Sequence, residues 1–117
     1  WFLFALFLFL NIADWITGWM KSNINHKTNS NKGWTGVLKK IGYWLMISLA
    51  FMLSAGFIEI GKTIGMDLTI TTLLGWFVLA SLTVNEARSI TENFVESGFN
   101  VPKILIDGLE VADKKIN

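Results

Sequence analysis

Three long apolar runs dominate the chain, and each is long enough to cross a membrane as a helix. They occupy residues 1–20, 41–58 and 68–84. A bilayer core takes about 20 helical residues. The first run contains one charged residue, Asp14, and the other two contain none. Helices that are apolar on every face would leave a soluble domain little surface for water. The pattern therefore predicts an all-α membrane protein with three transmembrane helices.

A dense polar stretch follows the third run directly. At 100° per residue its polar side chains share one helical arc, so we expect residues 85–96 to continue the third helix as an amphipathic segment. The arc consists of Asn85, Arg88, Ser89, Glu92, Asn93 and Glu96, with Glu86 at its edge. Gly98 can supply a left-handed C-cap, and Pro102 can open a short second amphipathic helix. We therefore predict an amphipathic C-terminal segment over 85–117.

Basic residues are distributed unevenly between the two ends of the predicted spans. The segment 21–40 has five lysines and no acid, and four more basic residues follow the third span. The short loop 59–67 has only Lys62, so nine of the ten basic residues lie on one side. Lysine and arginine accumulate on the cytoplasmic side of a membrane. We therefore expect a cytoplasmic loop at 21–40, with the N-terminus outside the cell and the C-terminus in the cytoplasm.

The amino-acid composition mainly excludes certain types of functional site and partner. The chain has no cysteine, which excludes thiolate metal sites and cysteine nucleophiles, and its single histidine lies at position 26. We therefore expect no metal site and no catalytic centre built on cysteine or histidine. A net charge of +1 does not indicate a nucleic-acid partner. Because the first residue is Trp rather than Met, we also expect the protein's own N-terminus to be missing from this sequence.

Asp14 is the one charged residue inside a predicted span. It lies about two helical turns before Lys21. A carboxylate at the bilayer centre costs about 2.5–3.5 kcal/mol on insertion scales, and less near the edge. Two interpretations follow: Asp14 pairs with a lysine of the 21–40 segment, or it faces a polar interior or a neighbouring subunit.

Two sets of residues are candidates for functional or packing contacts. Candidate pore or oligomer contacts are Asp14, Thr17, Gly18, Asn85, Glu86, Arg88, Ser89, Glu92, Asn93 and Glu96. Small residues spaced four apart are candidates for close helix packing: Ala50 with Ser54, and Thr71 with Gly75. Arg88 and Glu92 are also four apart and can pair on one helix. The alternative for the charged segment is a solvated cytoplasmic tail without a special role.

Three motifs, in order along the chain, resemble those of the toxin-secretion/phage-lysis holin family. The first is D-x-x-x-G, formed by Asp14 and Gly18. The second is N-S-x-x-G-x-x-G-x-x-x-K, formed by Asn29, Ser30, Gly33, Gly36 and Lys40. The third is E-x-x-S-I-x-x-N followed by G-x-x-x-P-K-x-L, formed by Glu86, Ser89, Ile90, Asn93, Gly98, Pro102, Lys103 and Leu105. The third motif is long and irregularly spaced, so it is the most specific.

The resemblance implies a single holin domain over residues 1–117 that accumulates in the bacterial cytoplasmic membrane. Such a protein forms a homo-oligomer in the lipid bilayer and opens a lesion for a phage endolysin or a large toxin. It implies no reaction and no cofactor. We add one hypothesis from the residues: monomers shield Asp14 and the 85–96 arc against each other, and a ring turns them toward water.

Two other classes of protein remain open at this stage. A small three-span lipid kinase has a similar length, although no acidic set here is evidently arranged for Mg·ATP. A cation-coupled transporter subunit would use Asp14 as its ion site. Lipid phosphorylation identifies the first, and ion or drug flux through a tight membrane identifies the second.

Overall fold

Four α-helices make up most of the computed structural model, which describes residues 1–25 and 30–116. They are α1 (Phe2–Ile24), α2 (Ser30–Ile64), α3 (Leu73–Glu96) and α4 (Lys103–Ile116), and a 3-10 turn at Thr69–Thr72 leads into α3. The described residues contain no strand. α1, α2 and α3 (the last with its 3-10 turn) are long and apolar enough to cross a membrane, which confirms the predicted fold class.

The structure differs from the sequence prediction at the polar segment 21–40. We predicted a loop there, but α1 continues to Ile24 and α2 already begins at Ser30. The single proline of the chain is Pro102, so nothing in 21–40 breaks a helix by removing a backbone donor. α2 therefore carries Lys39 and Lys40 on a helix that runs beyond its apolar part. Of the residues named above, His26, Asn29 and Asn117 lie outside the described residues.

α1 and α3 run in the same direction, and α2 runs antiparallel to both. Contacts at the two ends of the bundle show this arrangement. At one end the rings of Phe4 and Phe51 both lie against Trp76, at centroid distances of 6.0 Å and 5.2 Å. At the other end Lys21 of α1 forms an ion pair with Glu96 of α3. α3 is the central helix, because α1 and α2 contact it more extensively than they contact each other.

The apolar core lies between the three long helices, level with the first half of α1. Each long helix contributes one residue to it. Phe7, Ile47 and Leu79 form this buried cluster. Gly75 lets α2 approach α3 next to it, because a Cβ atom at Gly75 would lie 2.5 Å from ring atoms of Phe51. Glycine at this position is therefore required by the close approach of the two helices.

Two turns set the directions in which the last two helices leave. The turn between α2 and α3 has Gly65 in the left-handed region, at φ 79°. Asp67 Oδ1 then accepts hydrogen bonds from Thr69 N (3.0 Å) and Thr69 Oγ1 (2.7 Å). Because both donors stabilise the charged form, the pKa of Asp67 lies below its usual value.

The predicted C-cap of α3 is confirmed at Gly98, whose φ is 94°. The amide of Phe99 donates to the carbonyl of Phe94 (3.0 Å) and the amide of Gly98 donates to that of Val95 (3.1 Å), which is the Schellman pattern. The rings of Phe94 and Phe99 pack edge to face at 5.5 Å. This cap ends α3, and α4 is then tied back to it by Arg88 Nη1 and Asp113 Oδ2 at 3.1 Å.

Candidate functional site

One lysine joins all three membrane helices at the basic end of the bundle. Lys40 Nζ of α2 lies 2.8 Å from Asp14 Oδ2 of α1 and 2.7 Å from Glu86 Oε2 of α3. The side chains of Lys40 and Asp14 are only 16% and 15% exposed, and that of Glu86 is 2% exposed. Each of the three long helices thus contributes one charged group to this cluster. Asp14 pairs with a lysine of the 21–40 segment, which was one of its two interpretations.

A second layer of hydrogen bonds lies next to this ion cluster. Asn93 Nδ2 lies 3.0 Å from Asp14 Oδ1 and 3.0 Å from Thr17 Oγ1, and it donates to these oxygens. The hydroxyl of Thr17 in turn donates to the backbone carbonyl of Ala13 at 2.8 Å. Lys40 and Asn93 therefore bind different oxygens of the same carboxylate. We call Asp14, Thr17, Lys40, Glu86 and Asn93 the polar seam.

Helical spacing explains why these residues meet. On α1 the inward face carries Phe7, Asn11 and Asp14 at intervals of four and three residues. On α3 it carries Leu79, Glu86 and Asn93 at intervals of seven, so it stays on one side of the helix over four turns. The first part of each face is apolar and the second part is polar. The polar seam is therefore the continuation of the apolar core toward the basic end.

Asn11 is buried without a polar partner. It is 4% exposed, and neither its Nδ2 nor its Oδ1 atom bonds to any part of the chain that the structure describes. It lies one turn before Asp14 on the same face of α1. A buried amide without partners costs about 1–3 kcal/mol. Asn11 thus weakens the contact between α1 and its neighbours next to the point where the seam strengthens it.

The seam lies at the bottom of a large open cleft. The cleft has a volume of about 1000 Å³ and is bounded by α1, α2 and α3. Residues of all three motifs of the sequence line it: Asp14 and Gly18, then Gly33, Gly36 and Lys40, then Glu86, Ser89 and Asn93. Segments far apart in sequence therefore contribute to a single site.

The polar arc predicted over 85–96 divides into two groups. Glu86 and Asn93 are buried in the seam, and Ser89 is half-buried beside them. The others are exposed at the surface of the described chain: Asn85, Arg88, Glu92 and Glu96. Among these, Arg88 binds Asp113 of α4, whereas the sequence suggested Glu92 as its partner. Asn85 Nδ2 lies 3.4 Å from the hydroxyl of Tyr43.

The remaining candidates lie along the helix contacts. Thr17 is in the seam, and a Cβ atom at Gly18 would lie in ordinary contact with Asn93, 3.7 Å from its Nδ2. Ala50 and Ser54 are buried on α2. Ser54 Oγ lies 3.3 Å from Thr71 Oγ1 of the 3-10 turn, which adds a polar contact between the elements on either side of Gly65.

Sequence reasoning missed the central role of Lys40 and the burial of Asn11. Lys40 belongs to the second motif, but it was one of five lysines in a segment predicted as a loop, so its pairing with both Asp14 and Glu86 was not predicted. Asn11 carried a signal, because it lies three residues before Asp14 inside an apolar run. No group of three or more His, Asp or Glu side chains among the described residues is arranged to hold a metal ion.

Comparison with known protein families shows to which family the chain belongs. The sequence model of the bacteriophage holin family matches residues 1–114. The chain belongs to the bacteriophage holin family. This membership confirms the resemblance seen in the three motifs, and together with the three apolar helices it identifies a multi-pass membrane protein.

Individual relatives of this holin-family chain agree with the assignment. A probable holin of Bacillus phage phi105 is 33% identical over 108 residues, which cover 92% of this chain and 72% of that protein. An uncharacterized protein of Listeria monocytogenes is 31% identical over 104 residues, which cover 89% of this chain. The match spans 66% of the length of that protein, slightly less than two thirds. The uncharacterized protein YqxH of Bacillus subtilis is 30% identical, over 94% of this chain and 71% of its own length. No solved structure matches the chain.

Proposed function

We propose that this chain oligomerises in the bacterial cytoplasmic membrane and opens a lesion through which an endolysin reaches the cell wall. The phage relative described as a probable holin favours endolysin release, and the same lesion would serve the export of a large toxin. In this proposal the chain catalyses no reaction and uses no cofactor. Its partners are further copies of itself and the lipid bilayer, and the released protein is cargo.

The observation that carries the proposal is the separation of polar and apolar surfaces in the three-helix unit. Its outer surface is rich in large apolar side chains, for example Phe2, Leu45 and Met52 at 74%, 65% and 71% exposure. The polar groups enclosed by the three helices are those of the polar seam, Asn11 and Ser54. A ring of intact units would therefore line its lumen with apolar side chains. A water-filled lesion needs the seam itself to face the lumen.

The seam also supplies a reason for the chain to remain closed at first. Membrane helices associate through packing and polar contacts, because lipid offers no hydrophobic drive between them. Separating α1 from α3 breaks the contact of Asp14 with Asn93, and separating α1 from α2 as well breaks its ion pair with Lys40. This step becomes favourable when water in a shared lumen, or polar groups of a neighbouring copy, replace those partners. Asn11 favours the same step, since it gains partners on opening.

The orientation in this proposal follows the charge distribution. The end with the seam also carries Lys21 and Lys39, whereas the opposite end carries Glu59, Lys62 and Asp67. We place the basic end in the cytoplasm, with the N-terminus outside.

Induction of the full chain in a bacterium, with and without a co-expressed endolysin, tests the proposal. We expect an abrupt loss of viability in both cultures, and clearing of the culture only when the endolysin is present. Growth that continues unchanged at full membrane expression would overturn the proposal. Transfer of phosphate from Mg·ATP to diacylglycerol by the purified protein would instead identify a lipid kinase. Ion flux through a membrane that stays impermeable to proteins would identify a transporter subunit.

A further inference from the structure

The cleft above the polar seam has the shape of a binding site. Its volume of about 1000 Å³ lies between α1 and α2, which contact each other little, and α3 closes it at the bottom. On α2 the residues Gly33 and Gly36 face this space, and a Cβ atom added at either would meet no atom of the described residues within 4 Å. At these two positions a bound group can approach the backbone of α2 closely.

The charge at the mouth of the cleft is positive. Lys39 lines the cleft, is exposed, and forms no ion pair with the part of the chain that the structure describes. Lys21 lies on the opposite wall, where Glu96 neutralises it at 2.9 Å. The described residues of 21–40 that line the cleft include Lys21, Lys39 and Lys40 and no acid. Deeper in the cleft, the ammonium of Lys40 is already shared by two carboxylates. The free positive charge thus lies at the mouth.

Aromatic residues complete the mouth. Trp15, Trp19 and Trp34 line the cleft and are 50%, 55% and 64% exposed, and Tyr43 lines it as well. Tryptophan and tyrosine prefer the level of lipid headgroups, where the ring is apolar and its N–H or O–H can reach a polar partner. Rings and lysines at the basic end of the bundle therefore suit the level of the phosphates and glycerol groups of a membrane leaflet.

We propose that this cleft binds the headgroup of an anionic phospholipid, with the phosphodiester at Lys39 and the glycerol region against the tryptophan rings. Charge complementarity and position favour this occupant, because a basic pocket between membrane helices at the cytoplasmic face suits an anionic headgroup. The acyl chains can then follow the apolar outer surface of α1 and α2. The inference goes beyond the proposed function, since it concerns the closed unit and does not require that a lesion forms.

Native mass spectrometry of the full chain in detergent tests the site, with dioleoyl phosphatidylglycerol and dioleoyl phosphatidylcholine as probes. We expect one phosphatidylglycerol to be retained more tightly than phosphatidylcholine. Lys39→Gln should weaken the binding of phosphatidylglycerol about fivefold, the factor that corresponds to about 1 kcal/mol per lysine near an anionic surface. Gly36→Leu should weaken it at least as much by filling the cleft. Excess inorganic phosphate should not displace the lipid.

Each variant has a matched control in the same helix. Gly42→Leu places the same side chain on α2 at another glycine with open space around it, outside the cleft. Lys62→Gln removes a lysine at the opposite end of the bundle, where it pairs with Glu59. Both controls should bind phosphatidylglycerol as the unchanged chain does. Circular dichroism of all four variants shows whether they keep their helices.

Three results would overturn this inference. The first is equal retention of the two lipids, and the second is displacement of phosphatidylglycerol by inorganic phosphate alone. The third is a Gly36→Leu chain that is folded and binds lipid normally but has lost its oligomers, which would assign the cleft to a second copy of the chain. If the lipid site holds and induced cells survive, only the proposed lesion fails.

Discussion

Lys40 holds the three long helices together at the basic end, because its single ammonium pairs with carboxylates from two other helices. Asp14 Oδ2 and Glu86 Oε2 both lie within 2.8 Å of it. Neither carboxylate can move far without losing this cation. Asn93 supports the arrangement from the other oxygen of Asp14. The contact between three helices therefore depends strongly on one side chain of α2.

Replacing this lysine should destabilise the closed unit. Lys40→Met leaves two largely buried carboxylates without their cation, and breaking such a pair costs about 3–5 kcal/mol. We expect a loss of about that size in the free energy of unfolding, measured by denaturant titration in micelles, and earlier lysis after induction. Adding Glu86→Gln should recover part of the loss.

Lys62→Met is the matched control for Lys40→Met. Its pair with Glu59 is 69% and 72% exposed, and exposed pairs contribute at most about 1 kcal/mol. Equal losses of stability in the two variants would show that Lys40 has no special role.

Replacing Asn11 should stabilise the closed unit, the opposite of the effect expected for Lys40. Asn11→Leu removes two buried polar atoms that have no partner among the described residues, so we expect the closed unit to gain about 1–3 kcal/mol and lysis to be delayed. Time to lysis at matched expression measures the effect. Asn23→Leu, at an exposed position of the same helix, is the control. A variant that unfolds more easily than the unchanged chain would show that Asn11 has a polar partner.

At the scale of the helices, the contact between α2 and α3 depends on the absence of a side chain at Gly75. Gly75→Ala should cost about 1–3 kcal/mol by forcing the ring of Phe51 aside. Gly56→Ala, at an α2 glycine with open space, should leave the free energy of unfolding unchanged or raise it by up to about 1 kcal/mol, because alanine has the higher helix propensity. Unfolding of the two variants in the same micelles gives the comparison. Similar effects in both would contradict the close approach seen here.

The existence of these helices could be predicted from the sequence, because long apolar runs leave few other structures open to a chain. The C-cap at Gly98 could be predicted as well, since the left-handed conformation favours glycine. The division of the polar arc could not. Whether Glu86 or Glu92 points inward depends on the rotation of α3 against α1 and α2, which partners from other helices determine.

The site was predictable only in part for the same reason. Asp14 stood out as a charge within an apolar run, and a lysine partner from 21–40 was one interpretation. The choice of Lys40 required α2 to begin at Ser30, ahead of its apolar stretch, and thus to carry this lysine against the other two helices. The length of α2 was missed because polar residues were interpreted as a loop, although no proline interrupts them.

At the scale of the whole molecule, the proposed orientation can be measured directly because the chain has no cysteine. Met66→Cys places a thiol in the turn before α3, and Asn100→Cys places one between α3 and α4; both positions are exposed. We expect a membrane-impermeant maleimide to label position 66 in intact cells, and position 100 only after permeabilisation. The reverse pattern would place the basic end outside the cell.

The central claim is that the lesion forms by separating α1 from α3 along the polar seam. Lys21 and Glu96 join these helices at the basic end, at 2.9 Å. Lys21→Cys with Glu96→Cys allows a permeant, reducible bismaleimide to lock the two helices together. Glu59→Cys with Lys62→Cys is the matched control, because the same reagent then bridges two residues within α2 alone.

Lysis after induction of these two cross-linked chains, each with a co-expressed endolysin, is the most direct measurement. We predict that the chain locked between positions 21 and 96 fails to lyse cells until a reductant opens the link, whereas the control lyses on schedule. Lysis on schedule with α1 and α3 still linked would contradict opening of the seam.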